Sequence, residues 1–159
     1  MKTKFSLLMI IAVMAIMANG CKKSESAAPV TDPRDAFVGS YTEVLNGSFT
    51  VTINGQAQTS PINETGSFSI EKGSSENRIV RVETDKTRNE GTISGNHVQF
   101  DPMHINGTQS GMTLTYIANV GGNLSGNILN YTMNMTGTVY YQGASFPMTG
   151  IITAVATKH

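Results

Sequence analysis

Few residues in this sequence have the types and spacing that chemistry requires, and the histidines come first. His97, Asp101 and His104 carry nitrogen and oxygen donors that zinc and other transition metals accept. In a strand, however, positions 97 and 101 share one face, and Pro102 interrupts the path to His104. We therefore expect surface histidines beside a turn, with no metal site and no cofactor.

Paired carboxylates are the second candidate, because one acid and one base can share a reaction. Glu83 and Asp85 are two residues apart, but Arg81, Lys86 and Arg88 surround them, which predicts a solvated charged face or loop. The sequence also lacks the Gly-x-Ser-x-Gly and His-Glu-x-x-His patterns. We predict no catalytic residues and no enzymatic activity.

Cys21 is the only cysteine, and its position indicates a covalent modification. It follows a positively charged start, an uncharged run of 14 residues (5–18) and the small residues at 18–20. That run is short for a bilayer span and typical of a secretory signal. The pattern predicts cleavage after Gly20 and acylation of Cys21, which would make the lipid bilayer a partner. An ordinary cleavage site that leaves a free thiol is the alternative.

The charges of the mature chain indicate a location and exclude one partner. Lys22 and Lys23 differ from the aspartate that retains lipoproteins at the inner membrane, so we expect the outer membrane of a cell envelope. Loss of Lys2 and Lys4 leaves nine basic against eleven acidic residues, a formal charge of −2. These charges are interspersed without a basic stripe, so we expect no nucleic acid partner.

The chain divides into a signal peptide (1–20), a flexible tether (21–31) and one domain (32–159). The tether has small and polar residues without apolar periodicity. Asp32 and Pro33 suit the N-cap and first position of a helix, which predicts one short helical turn running into Phe37.

After Phe37 the sequence predicts an all-β domain. Apolar and polar residues alternate in 49–53, 112–116 and 129–136, so each segment would bury one face. The predicted strands are 37–45, 49–54, 66–72, 78–84, 91–95, 97–101, 111–120, 122–126, 128–141 and 146–157. Eight to ten such strands favour an antiparallel up-and-down meander that closes into a barrel, with a β-sandwich as the alternative.

Asn-Gly pairs and an internal repeat indicate the turns. The pairs at 46–47, 54–55 and 106–107 predict tight hairpin turns. The segments 91–100 and 122–131 share Gly, an aliphatic residue, Ser-Gly-Asn, a second aliphatic residue and a final aromatic ring. With Gly-Asn as the turn, each copy becomes a hairpin in which a glycine faces an aromatic residue, Gly91 opposite Phe100 and Gly122 opposite Tyr131. We interpret the copies as two similar hairpins of one sheet.

The segment 32–42, Asp-Pro-Arg-Asp-Ala-Phe-Val-Gly-Ser-Tyr-Thr, resembles the opening of lipocalin-like domains in small lipoproteins of Bacteroidetes-type bacteria. The Ile-Ser-Gly-Asn and Leu-Ser-Gly-Asn hairpins are similar to elements of the same proteins. The resemblance implies a lipocalin-like barrel over the mature domain. Lipocalins proper carry Trp where this chain has Tyr41 and an arginine on the last strand, which is absent from 149–157 here.

Two functional classes follow from the sequence. If the barrel has a cavity, we expect seven apolar or aromatic residues to line it: Phe49, Met112, Leu114, Tyr116, Tyr131, Met133 and Met135. The first class is a non-enzymatic, membrane-anchored module that binds a small apolar ligand there. The second is an adhesion or carbohydrate-associated module with a packed interior, and exposed Tyr140 and Tyr141 on one flat face would favour it.

Overall fold

The computed structural model describes residues 31–109 and 111–159, of which Asp32–His159 form one compact unit. The predicted signal peptide, Cys21 and the tether up to residue 30 lie outside the described residues. No helix in the described ranges has the length and apolar character needed to span a bilayer.

A short 3-10 helix, Pro33–Ala36, precedes nine strands in the described part of the chain. The strands are β1 (Gly39–Ile53), β2 (Gln56–Lys72), β3 (Arg78–Glu83), β4 (Arg88–Ser94), β5 (His97–Phe100), β6 (Met103–Gln109), β7 (Met112–Ser125), β8 (Ile128–Tyr141) and β9 (Ala144–Lys158). The predicted helical turn is confirmed: Asp32 accepts a hydrogen bond from the backbone N–H of Arg34 at 3.0 Å.

All nine strands belong to one antiparallel sheet in the order β5-β4-β3-β2-β1-β9-β8-β7-β6, and β5 also pairs with β7. This last pairing closes a ring of eight strands. β5 and β6 lie end to end along the same edge of β7, separated by Asp101 and Pro102. The predicted all-β, up-and-down meander that closes into a lipocalin-like barrel is therefore confirmed, and the sandwich alternative is not observed.

The strands differ in length, and this divides the barrel into two parts. β1, β2, β7, β8 and β9 have 14 to 17 residues, whereas β3, β4 and β5 have 4 to 7. In the part of the chain that the structure describes, residues 56–66 of β2 pair only with β1, and β6 pairs only with β7. We call the fully paired ring the closed end. The open half is the continuation of β1, β2, β6, β7, β8 and β9 beyond it.

The main core fills the closed end. Its fully buried side chains come from all around the ring and include Ile70, Ile79, Val98 and Leu129. Each such side chain contributes about 1.5–3 kcal/mol when buried. Alternation along the strands places these residues on the inner face, as the sequence pattern predicts.

The 3-10 helix covers the closed end through contacts with the first and last strands. Tyr41 of β1 is buried, donates a hydrogen bond to the carbonyl of Phe37 at 2.6 Å and stacks on Phe68 with 5.0 Å between ring centroids. Burial raises the pKa of Tyr41 to about 12. Lys158 of β9 donates to the carbonyl of Ala36 at 2.7 Å. Lipocalins proper have an arginine on the last strand. In this chain Lys158 lies near the end of the last strand, and it holds the 3-10 helix in place.

Both repeat hairpins form in the predicted register. Gly91 pairs with Phe100, and Gly122 pairs with Tyr131. A Cβ added at Gly91 would lie 2.8 Å from Cδ1 of Phe100, so the ring occupies the space that the glycine leaves.

Of the three predicted Asn-Gly turns, one is confirmed and two are wrong. Asn54 and Gly55 connect β1 to β2 with φ values of 50° and 79°, as a type I′ turn requires. The pair at 46–47 lies inside β1 and the pair at 106–107 inside β6. At 46–47 the chain is paired on both sides, with β2 and β9, and this ladder outweighs the local turn preference.

Candidate ligand site in the open half of the barrel

Apolar side chains from six strands meet on the inner face of the open half, while β2 also places polar Gln56, Gln58, Ser60 and Glu64 at inward-facing positions. We call the apolar set the cup cluster; it comprises buried Ala118, Met135 and Ile152 with partly buried Leu45, Phe49, Ile62, Met103, Tyr116 and Met133 packed on them. β2 and β6, which border the opening, both contribute to it. The open half therefore curves around one apolar interior.

The seven predicted lining residues all occupy inward-facing positions, as their cross-strand partners show. The cup cluster brings four of them together: Phe49, Tyr116, Met133 and Met135. Tyr131 lies deeper, in the closed-end core. Met112 and Leu114 lie at the start of β7, nearer the opening of the barrel. Leu114 is half-buried, and Met112 is exposed.

Exposed apolar side chains also lie at the rim of the open half, beside the inward-facing polar Gln56. Ile53, Met112 and Tyr141 occupy inward-facing positions near the strand ends and are 39%, 36% and 43% exposed. An apolar interior with apolar side chains at its opening is typical of sites that accept small apolar ligands.

Glycines on the inner face make room for the large side chains of the cup cluster. A Cβ at Gly150 would lie 2.5 Å from Cε of Met135, and one at Gly137 would lie 2.5 Å from Cβ of Tyr116. The methionine chain and the tyrosine therefore lie across the neighbouring strand. Because methionine is flexible, the cup cluster can adapt its shape to a ligand.

Below the cup cluster, four polar side chains meet inside the barrel. We call them the floor cluster: Glu43, Arg81, Glu83 and Tyr131. Arg81 Nη2 donates to both oxygens of Glu43 at 3.0 and 3.2 Å, its Nη1 donates to the Tyr131 hydroxyl at 2.9 Å, and its Nε donates to Glu83 at 2.5 Å. The Tyr131 hydroxyl in turn donates to Glu43.

Three of the four floor-cluster residues are buried, and the charges of the cluster are unequal. The side chains of Arg81 and Glu43 are 8% and 6% exposed, and two carboxylates face one guanidinium, which leaves a net charge of −1. Arg81 also lies 3.8 Å from the ring centroid of Phe68, a favourable cation–π position. Burial raises the pKa of Tyr131, which keeps its hydroxyl protonated as a donor to Glu43.

The floor cluster contradicts the predicted solvated charged face around Glu83 and Asp85. Asp85, Lys86 and Arg88 are exposed as predicted, but Arg81 is buried and Glu83 is only one-third exposed. The sequence contained a signal that we did not use: Arg81 follows Ile79 by two positions and therefore shares its inward face.

Glu43 was also missed by the sequence reasoning. It lies two residues from both Tyr41 and Leu45, so alternation places it on the inner face. Its register partner is Gly66, where an added Cβ would lie 2.9 Å from Oε1 of Glu43. The glycine thus leaves space for the carboxylate.

The histidines considered for metal binding lie elsewhere. His97 Nδ1 is 3.1 Å from Oδ1 of Asn123, Asp101 pairs with Arg78 at 2.5 Å, and His104 is exposed. Across residues 31–109 and 111–159, no group of three or more His, Cys, Asp or Glu side chains has a metal-binding arrangement.

Comparison with solved structures shows a distant likeness. No protein-family model and no curated protein matches this chain. A solved structure of a DUF3598-family protein of unknown function from Nostoc punctiforme PCC 73102 is similar over 76% of this chain, with 12% identity and a TM-score of 0.38. The chain spans about half (48%) of the length of that protein.

Proposed function

We propose that this protein is a small lipocalin-like lipoprotein of the bacterial cell envelope, anchored in the outer membrane through acylated Cys21. Its barrel holds a small apolar ligand in the open half without changing it chemically. The observation that carries the ligand-binding proposal is the cup cluster, whose apolar side chains continue to exposed Ile53, Met112 and Tyr141 at the rim. The anchoring proposal rests on the sequence around Cys21.

The two tyrosines weigh against the adhesion alternative. Tyr140 and Tyr141 are both exposed, but they are consecutive in β8, so their side chains leave opposite faces of the sheet. Tyr140 is on the outer face, and Tyr141 belongs to the rim. They do not form the flat aromatic surface that adhesion to a carbohydrate would use.

Ligand binding is tested with Nile red, a neutral apolar probe whose fluorescence rises in apolar surroundings. We expect the purified Cys21→Ala protein, which needs no detergent, to bind the probe. Met133→Trp should block binding, because the indole would fill space where the cup cluster meets the closed-end core. The matched control is Asn134→Trp, one residue along β8 on the exposed outer face, which should bind the probe as the parent does.

The stability of Met133→Trp distinguishes a hollow cup from a packed one. Overpacking a filled core costs about 1–3 kcal/mol, whereas filling a hollow site costs less. A loss in that range, together with no probe binding in the parent, would refute the ligand-binding proposal and favour a packed scaffold.

Anchoring is tested separately by metabolic labelling with a radioactive fatty acid. The parent should incorporate label and sediment with membranes, and Cys21→Ala should do neither while keeping its far-UV circular dichroism spectrum. A Cys21→Ala protein that stays integral to the membrane would refute lipid anchoring.

A further inference from the structure

Two hydrogen-bonding atoms beside Arg81 are unused. Asn89 lies directly opposite Arg81 in the β3–β4 register, and its Nδ2 is buried without a hydrogen-bond partner among the described residues. Glu83 accepts from Arg81 through Oε1 only, and within the described ranges nothing donates to its Oε2. A buried amide without a partner has lost the hydrogen bonds that water would supply, so a ligand group that accepts from it gains free energy.

These two atoms lie where the strands of the barrel are short. The turn 84–87 joins the end of β3 to the start of β4, and β2 continues beyond this turn without a neighbour on that side in the described structure. Leu45, Met103 and Met133 pack on both the closed-end core and the cup cluster, so apolar side chains continue from the open half to this level. A ligand in the open half would therefore have its inner end directed towards the floor cluster.

The charge of the floor cluster determines which polar end fits. Every nitrogen of the Arg81 guanidinium already donates to Glu43, Glu83 or Tyr131. One N–H group of Nη1 has no acceptor among the described residues, but the two carboxylates outweigh the guanidinium and leave the cluster with a net charge of −1. A ligand carboxylate would be repelled in surroundings where charges are weakly screened.

We propose that Asn89 and Glu83 bind the polar end of the ligand and that this end is a neutral hydroxyl group. A hydroxyl both donates and accepts, so it can donate to Glu83 Oε2 and accept from Asn89 Nδ2. The ligand class is then an apolar alcohol rather than a fatty acid anion, with its hydrocarbon part along the cup cluster. This inference rests on the proposed function and specifies its ligand.

The test is displacement of Nile red by three compounds with the same chain length: dodecanol, dodecanoate and dodecane. We expect dodecanol to displace the probe at a concentration about tenfold or more below that of dodecanoate. Modest repulsion between the dodecanoate carboxylate and the negatively charged floor cluster is enough to weaken its affinity about tenfold. Dodecanol should also be about tenfold more effective than dodecane, because it gains hydrogen bonds that the alkane lacks. These comparisons use the same Cys21→Ala protein and need no variant of the ligand site.

Two variants then assign the preference to its residues. Asn89→Leu should reduce the dodecanol-to-dodecane ratio about tenfold, because the amide donor is lost at nearly constant volume. The matched control, Asn134→Leu on the exposed outer face, should keep the parent ratio. Glu83→Gln removes one negative charge from the floor cluster. It should therefore reduce the difference between the displacing concentrations of dodecanol and dodecanoate.

The outcomes separate the two proposals. Equal displacement by all three compounds, or stronger displacement by dodecanoate, would overturn the hydroxyl site and leave the apolar cup intact. An unchanged ratio in Asn89→Leu would also overturn it. If the probe itself does not bind, the proposed function fails, and the hydroxyl site fails with it.

Discussion

Replacing Arg81 by Met should destabilise the barrel more than any other change in the floor cluster. The substitution keeps an unbranched chain against Phe68 but removes four hydrogen bonds, two to Glu43 and one each to Glu83 and Tyr131. Glu43 would then be a buried carboxylate without its cation. Breaking a buried ion pair from one side costs about 3–5 kcal/mol, a large part of the roughly 5–15 kcal/mol that holds a domain folded.

The same geometry predicts that replacing the other partner of the ion pair, Glu43, costs less stability than replacing Arg81. After Glu43→Met, Arg81 still donates to Glu83, which is one-third exposed, and to the Tyr131 hydroxyl. We expect a loss of about 1–3 kcal/mol, since the guanidinium keeps a partner. In the double variant no buried charge is left unpaired, so its loss should be smaller than that of Arg81→Met alone by about 2 kcal/mol.

The assay is urea unfolding followed by far-UV circular dichroism and tyrosine fluorescence, since the chain has five Tyr and no Trp. The four proteins form a double-mutant cycle, and the free energies of unfolding are compared at equal m-value. If Arg81→Met loses less than about 1 kcal/mol, or if the two losses simply add, the floor cluster is not a coupled buried network and this reasoning is wrong.

Three further predictions concern positions outside the ligand site. Hydrogen bonds from Arg34 lower the pKa of Asp32 well below its ordinary value of 3.8. Ionised Asp32 therefore stabilises the fold above that pH, and this stabilisation is lost as pH falls towards the folded-state pKa. The difference in free energy of unfolding between the parent and Asp32→Asn, measured with urea, should therefore shrink between about pH 6 and about pH 2. Gly122→Ala should cost about 1–3 kcal/mol because its Cβ would overlap Tyr131, whereas Gly107→Ala, whose Cβ meets nothing within 4 Å, should be nearly neutral in the same assay. Gly55→Ala should lower the thermal midpoint by an amount equivalent to about 1 kcal/mol, because φ is 79° there, and an unchanged midpoint would contradict the I′ turn.

Much of the fold was predictable because alternation along a strand depends only on which face is buried. This holds for β7, β8 and β9, whose apolar residues recur at every second position, and for the two repeat hairpins. The first half of β2 was not predicted, since 56–65 is polar and mostly exposed and has little apolar pattern to detect. Its strand conformation comes from pairing with β1, which is a long-range effect.

The candidate site was predictable only in its apolar part. Phe49, Tyr116 and Met133 were found because their type and their position both indicate an inner face. Glu43 and Arg81 occupy equally inward positions, but a charged side chain is usually exposed, and the sequence does not show that the two meet. Their meeting depends on β1 and β3 both pairing with β2, which lies between them, and on the curvature that turns both side chains into the barrel.

The pairing of β1 with β9 has a consequence for how the barrel is assembled. Eleven residue pairs join these strands, and a hydrogen bond there links Thr42 to His159 across 117 positions of sequence. Contacts this distant in sequence slow folding, because a long loop must close before they form. Hairpins such as β4–β5 and β7–β8 can form early, but β1 keeps a row of unpaired backbone groups until β9 docks. During that interval β1 is exposed to pairing with other chains, so aggregation competes with folding at this seam.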